Sequence, residues 1–135
     1  MTVPAGISAE VSYEGTSERG EVRVLGTIGA QAVMPLLAAA AVGRVLNFSL
    51  EDTIRALSSH VPPPGRMRII PGLKGTLIID DTYNASPAAT LAALDALMLV
   101  GSGRTIAVLG DMLELGRFSV EQHKEVGRRA ASACT

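Results

Sequence analysis

"TLIIDDTYNASPAATLAAL", Thr76 to Leu94, passes from an apolar run through two adjacent carboxylates, a tyrosine and an asparagine into a segment opened by Ser86-Pro87. The apolar run is short and continuous, the pattern of a strand covered on both faces, and it predicts a parallel sheet. Ser86 suits a helix N-cap and Pro87 the first helical position, where a missing N–H costs nothing; Leu91, Leu94 and Met98 then share one face. The pattern repeats with "TIAVLG", Thr105 to Gly110, and a helix over Val120 to Ser132, with Ser119 and Gln122 at capping-box spacing. Strand, helix, strand, helix makes this half of the chain α/β. Two parallel strands are too few to bury both faces, so a piece of a larger sheet is expected.

Upstream, Val11 and Tyr13, then Val22 and Val24, alternate with polar residues on either side of the turn-rich "EGTSERG", which predicts a β-hairpin. "MPLLAAAAVGRVL" is rich in helix formers, with Pro35 in the first turn. Ser49 and Asp52 sit just ahead of a stripe of Leu50, Ile54 and Leu57, one face of a short capped helix. "HVPPPGR" ends it, because consecutive prolines cannot continue a helix and stiffen the chain. Val61 to Gly65 is therefore the expected hinge or domain boundary.

A chain of 135 residues, 47% hydrophobic and 19% charged, can fill one ordinary core or parts of two smaller ones. Its formal net charge of -1, without a basic run, gives no electrostatic footprint for nucleic acid or an anionic membrane. The single cysteine, Cys134, makes no internal disulfide and fits a reducing compartment, so the cytoplasm is expected. "MTVPAGISAEVSYEG" has no basic region leading into an apolar core and does not read as a secretory signal. The most apolar segment, Ala30 to Val42, is shorter than the roughly 20 residues that span a bilayer and reads as a core helix.

The chemistry-bearing residues concentrate at Asp80 to Ala85, the loop expected at the carboxyl end of a parallel strand, where open α/β sheets bind ligands. A carboxylate such as Asp81 can accept both hydroxyls of a ribose, the ring of Tyr83 can pack on a base or sugar, and Asn84 can both donate and accept. That set suits a nucleotide. A plainer account stands beside it: Asp and Asn are turn formers, and Tyr83 can cover the edge of the core. Arg66, after the prolines, offers a guanidinium fork suited to phosphate oxygens or is simply a surface arginine.

Other motifs fail on detail. In "VLGDMLELG" five residues separate Gly110 from Gly116 and Arg117-Phe118 follow, so the lysine and hydroxyl of a phosphate loop are missing. "GSGRT", Gly101 to Thr105, precedes its strand instead of following it. Asp111 and Glu114 read as a solvated turn first and as substrate or metal contacts second. His60 and His123 belong to no ligand-spaced cluster, and neither a nucleophile elbow nor an activated cysteine is visible, so neither a metal site nor covalent catalysis is expected.

Taken together, "GR" at Gly65-Arg66, "IIDDTYNASPAATLAAL" and "IAVLGDMLELGRFSVEQHKEVG" resemble the Mur ligases, in particular the type that adds D-alanyl-D-alanine to UDP-N-acetylmuramoyl-tripeptide. The similarity runs from about Gly26 onward, and the Tyr83-Asn84 pair favours the dipeptide-adding type. The resemblance implies a cytoplasmic, ATP- and magnesium-dependent enzyme, monomeric at full length, with three domains. Residues 1–64 would be the end of its central ATPase domain, a hairpin plus helices, and residues 65–135 the first half of its Rossmann-like C-terminal domain. It also implies that Arg66 contacts ATP phosphate, that Asp81 contacts the ribose, and that Tyr83 and Asn84 line the nucleotide and amine side. The phosphate loop, magnesium ligands and UDP-sugar site would lie upstream of this chain, leaving it inactive alone. Where the family shows G-x-H-N-x-x-N, this sequence reads "GAQAVMP", with Gln31, Ala32 and Pro35 at the His and two Asn positions. Either base binding relies on other groups here, or this copy has lost activity. The competing reading is a non-catalytic α/β module that holds a nucleotide or a partner.

Overall fold

The computed structural model describes residues 6–135; residues 1–5, the start of the stretch read for a leader, lie outside them. The chain divides into two compact units, Met1–Asp80 and Asp81–Thr135.

The first unit begins with strands β1 (Gly6–Ser12) and β2 (Arg19–Leu25), paired antiparallel with Val11 opposite Gly20 and Ala9 opposite Val22. The expected alternation holds: Val11, Val22 and Val24 are buried, while their neighbours along each strand are not. Helix α1 (Val33–Val45) follows a 3-10 turn at Ala30–Ala32, and helix α2 (Leu50–Ser58) starts at Ser49, whose Oγ accepts the Asp52 amide at 3.1 Å. Leu36, Ala40 and Leu50 join the three valines in one core, with Ile54 and Leu57 packed against it. Tyr13 is structural here, its hydroxyl donating to the Ala40 carbonyl at 3.1 Å and its ring lying under the Arg44 guanidinium.

Strands β3 (Arg68–Pro71) and β4 (Leu77–Asp80) complete the unit. They pair antiparallel, Arg68 opposite Asp80 and Ile70 opposite Ile78, which corrects the expectation of a parallel partner for "TLIID". The reason is local. Lys74 and Gly75 both take left-handed backbone angles (φ 54° and 77°), and the Gly72 amide donates to the Thr76 carbonyl at 2.8 Å, closing a short link. Closing so short a loop costs less entropy than recruiting a remote strand, and a continuous apolar run looks the same in either arrangement.

In the second unit, helices α3 (Pro87–Val100) and α4 (Ser119–Ala133) pack together around Leu94, Met112, Val126 and Ala133. Arg129 Nε donates to Asp95 Oδ1 at 2.7 Å between them. Ser86 caps α3 as expected, accepting the Ala89 amide at 3.3 Å. Leu91 and Leu94 face inward, whereas Met98, expected on the same face, is exposed.

Two further expectations are corrected. "TIAVLG" forms no strand: Ala107 packs on the helices, but Ile106 and Val108 are 64% and 94% exposed and no neighbouring strand pairs with the segment among the described residues. Its lower end is held instead by Thr105, whose carbonyl accepts the Thr135 amide at 3.1 Å and whose hydroxyl donates to the Ala133 carbonyl at 2.8 Å. Ser119 caps nothing. A 3-10 turn at Gly116–Phe118 leads directly into α4, so Ser119 is already helical and the preceding residue, Phe118, has no side-chain acceptor to offer.

Candidate functional site

The loop from Asp81 to Ser86 leaves β4 and enters α3 at its capped first turn, so both of its ends are fixed by regular structure. Asp81 is half-buried, Asn84 is exposed and Tyr83 is 71% exposed. A ring that open does little to cover the core edge.

Arg66 lies in the other unit, on the turn that enters β3. Its neighbours Gly65 and Met67 both have positive φ (73° and 49°). For Met67, a buried residue with a Cβ, that is a strained conformation held by its surroundings. The surroundings are identifiable: Thr27 bridges to Arg68, the Ile69 amide donates to the Gly26 carbonyl at 2.9 Å, and the Gly65 amide donates to Asp80 Oδ2 at 2.9 Å. The Arg66 side chain is exposed above this clamped backbone. Within each unit the structure thus brings Asp81, Tyr83 and Asn84 onto one loop, and sets Arg66 on a separate rigid turn.

The positions that depart from the family pattern lie where the first sheet gives way to α1. Ala30, Gln31 and Ala32 form the 3-10 turn and Pro35 falls in the first turn of α1. Gln31 folds back over Gly29, where a Cβ would run into the Gln31 carboxamide, and Gly29 has a φ of 94°. Its Nε2 is buried without a hydrogen-bond partner.

Sequence reasoning took Asp111 and His123 separately and missed that they meet. His123 Nε2 lies 2.7 Å from Asp111 Oδ1, and Nδ1 lies 2.8 Å from the Ser119 carbonyl, one turn back along α4. The Met112 amide donates to Asp111 Oδ1 at 2.9 Å as well. With both ring nitrogens facing oxygen acceptors, the Ser119 carbonyl first and the Asp111 carboxylate second raise the His123 pKa. A carboxylate and an imidazole twelve residues apart carry no periodicity that would have revealed the pair. Among the described residues, no three His, Cys, Asp or Glu side chains are placed to hold a metal ion. Among the described residues, no helix is long and apolar enough to cross a membrane.

Residues 65–135, more than half of the chain, match the family model "Mur ligase, glutamate ligase domain". The chain belongs to the Mur ligase family. Among curated Mur ligase relatives, the UDP-N-acetylmuramoyl-tripeptide–D-alanyl-D-alanine ligase of Mycobacterium leprae is 38% identical over 120 residues, covering 78% of this chain and 23% of the relative. The ligase of the same name from Bacillus subtilis is 40% identical over 101 residues, covering 74% of this chain and 22% of the relative. The chain therefore spans about a quarter of the length of the Mur ligases it matches. Among solved structures, MurF from Acinetobacter baumannii superposes with a TM-score of 0.82 at 32% identity, over 96% of this chain and 28% of that one. MurF from Thermotoga maritima, solved in complex with ADP, gives 0.74 at 34% identity, over 90% of this chain and 30% of that one.

Proposed function

We propose that this chain is a portion of an ATP-dependent Mur ligase that joins D-alanyl-D-alanine to UDP-N-acetylmuramoyl-tripeptide in cytoplasmic peptidoglycan precursor synthesis. The observation that carries the reading is the match to dipeptide-adding ligases in both sequence and structure, at 32–40% identity. Residues 1–64 then belong to the central domain and residues 65–135 to the C-terminal one; the limits of the matched family model support that boundary, while the compact units divide further on, after Asp80. In the reaction, ATP phosphorylates the tripeptide carboxylate, and the dipeptide amine attacks the acyl phosphate and expels phosphate. Magnesium and cationic groups are the chemical means of stabilising the phosphoryl charge as it grows. The whole ligase works as a monomer in this reading.

This chain's own part is to hold the nucleotide. Arg66 contacts an ATP phosphate through its planar fork, Asp81 accepts ribose hydroxyls, and Tyr83 and Asn84 line the nucleotide and the incoming amine. The exposure of Tyr83 and the fixed turn beneath Arg66 support these roles, as does the ADP complex of the Thermotoga maritima relative. Family membership makes the ligase reading the stronger one, with the non-catalytic binding module as its rival. Grafting residues 65–135 in place of the matching segment of the Bacillus subtilis ligase tests it. The graft is expected to form the pentapeptide product in an ATP-dependent manner and to lose that activity with Arg66→Ala. A folded graft without turnover would contradict the assignment.

A further inference from the structure

The first of the two adjacent carboxylates, Asp80, has a different task from the second. It is the last residue of β4, directly opposite Arg68 in the hairpin register. From there its Oδ2 accepts the Gly65 amide at 2.9 Å, fifteen residues back along the chain. The turn it reaches is not one the backbone adopts easily. Gly65 and Met67 have φ of 73° and 49°, on either side of Arg66. Left-handed angles at a residue with a Cβ persist only where neighbouring groups hold them. Downstream, that hold comes from the Ile69 amide on the Gly26 carbonyl and the Thr27 to Arg68 bridge. Upstream it comes from Asp80, and a hydrogen bond to an ionised acceptor is among the stronger kinds.

We infer that Asp80 is a positioning residue: its carboxylate anchors the Gly65–Met67 turn and thereby fixes the direction in which Arg66 presents its guanidinium to a polyphosphate. The inference rests on the proposed role of Arg66. It divides the adjacent carboxylates into Asp81 for the ligand and Asp80 for the scaffold that aims the arginine. Asp80 is still part of β4, whereas Asp81 already belongs to the loop that follows it.

The test uses the 135-residue chain and two readouts. Amide hydrogen exchange at Gly65, measured without nucleotide, reports the anchor itself. ATP affinity by calorimetry reports its consequence. Asp80→Ala is expected to speed exchange at Gly65 and to weaken ATP binding by about tenfold, the scale of one hydrogen bond to a charged group. Asp80→Asn, whose carboxamide oxygen still accepts the Gly65 N–H, is expected to restore most of both. In an Arg66→Ala background, Asp80→Ala is expected to cause no further loss of affinity, since it acts through the arginine. Unchanged Gly65 exchange in Asp80→Ala would overturn the inference whatever the nucleotide does. So would an affinity loss that adds fully to that of Arg66→Ala, which would make Asp80 a ligand contact in its own right. Failure of the wild-type chain to bind ATP, with Gly65 protected by Asp80, would refute the link from Asp80 to a nucleotide and the Arg66 reading with it.

Discussion

Two residues, His123 and Gly65, carry the clearest local physics. His123 donates through Nδ1 to the Ser119 carbonyl and, once protonated, through Nε2 to Asp111, tying the loop at Asp111–Met112 to the first turn of α4. Its pKa is raised in the folded state, first by the Ser119 carbonyl and then by Asp111. The sign follows from linkage: a raised folded pKa means the folded chain binds the proton more tightly than the unfolded one. The stabilisation is therefore complete below the ordinary histidine pKa and fades as pH rises through the raised value. Melting temperature should fall across that window in the wild-type chain more steeply than in His123→Gln, as scanning calorimetry at a series of pH values would show. Parallel profiles would mean that the pair contributes nothing to stability. Gly65 is the second case. With φ at 73°, Gly65→Ala should cost roughly 1–2 kcal/mol in chemical denaturation, the left-handed penalty for a residue with a Cβ. A neutral Gly65→Ala would show that the turn relaxes freely, and would weaken the account of Arg66 as held in place.

At the level of elements, what could be read from sequence was whatever local chemistry determines. The hairpin followed from alternating valines around a turn, α2 from Ser49 with its amphipathic stripe, and α3 from Ser86-Pro87; in each the deciding signal lies within a few residues. Two helix starts that look alike in sequence make this testable. Ser86 accepts the Ala89 amide, whereas Ser119 makes no cap. Ser86→Ala should cost about 1 kcal/mol and Ser119→Ala under roughly 0.5 kcal/mol, compared by denaturant midpoints at equal slope. Equal costs would refute the difference in capping. What sequence could not decide was pairing. "TLIID" and "TIAVLG" are both continuous apolar runs, a pattern that records burial but not the direction or identity of a partner strand. Leu77–Asp80 closed on its neighbour Arg68–Pro71, and residues 105–110 have one side packed on helices and Ile106 and Val108 open. The candidate residues show the same divide: Arg66, Asp81, Tyr83 and Asn84 stood out by residue type, while the Asp80–Gly65 and Asp111–His123 contacts join residues far apart along the chain.

On the scale of the molecule, the chain belongs to the Mur ligase family and its sequence carries no phosphate loop. The sequence contains no G-x-x-x-x-G-K-[ST], the element whose backbone and lysine cradle the transferred phosphates. The isolated 135-residue chain should therefore show no ligase turnover, and ATP-dependent formation of the muramoyl pentapeptide by it alone would contradict that. Binding is a lesser demand than catalysis, since it needs the ribose and phosphate contacts but not the in-line geometry of transfer. We propose that Arg66 and Asp81 hold a nucleotide even though Gln31, Ala32 and Pro35 stand at the positions where the family pattern has His and two Asn. Calorimetric titration of ATP and ADP into the wild-type chain and into an Arg66→Ala, Asp81→Ala double variant tests it most directly. Weak binding by the wild type that disappears in the double variant is the predicted result; binding that survives in the double variant, or that neither chain shows, would contradict the claim.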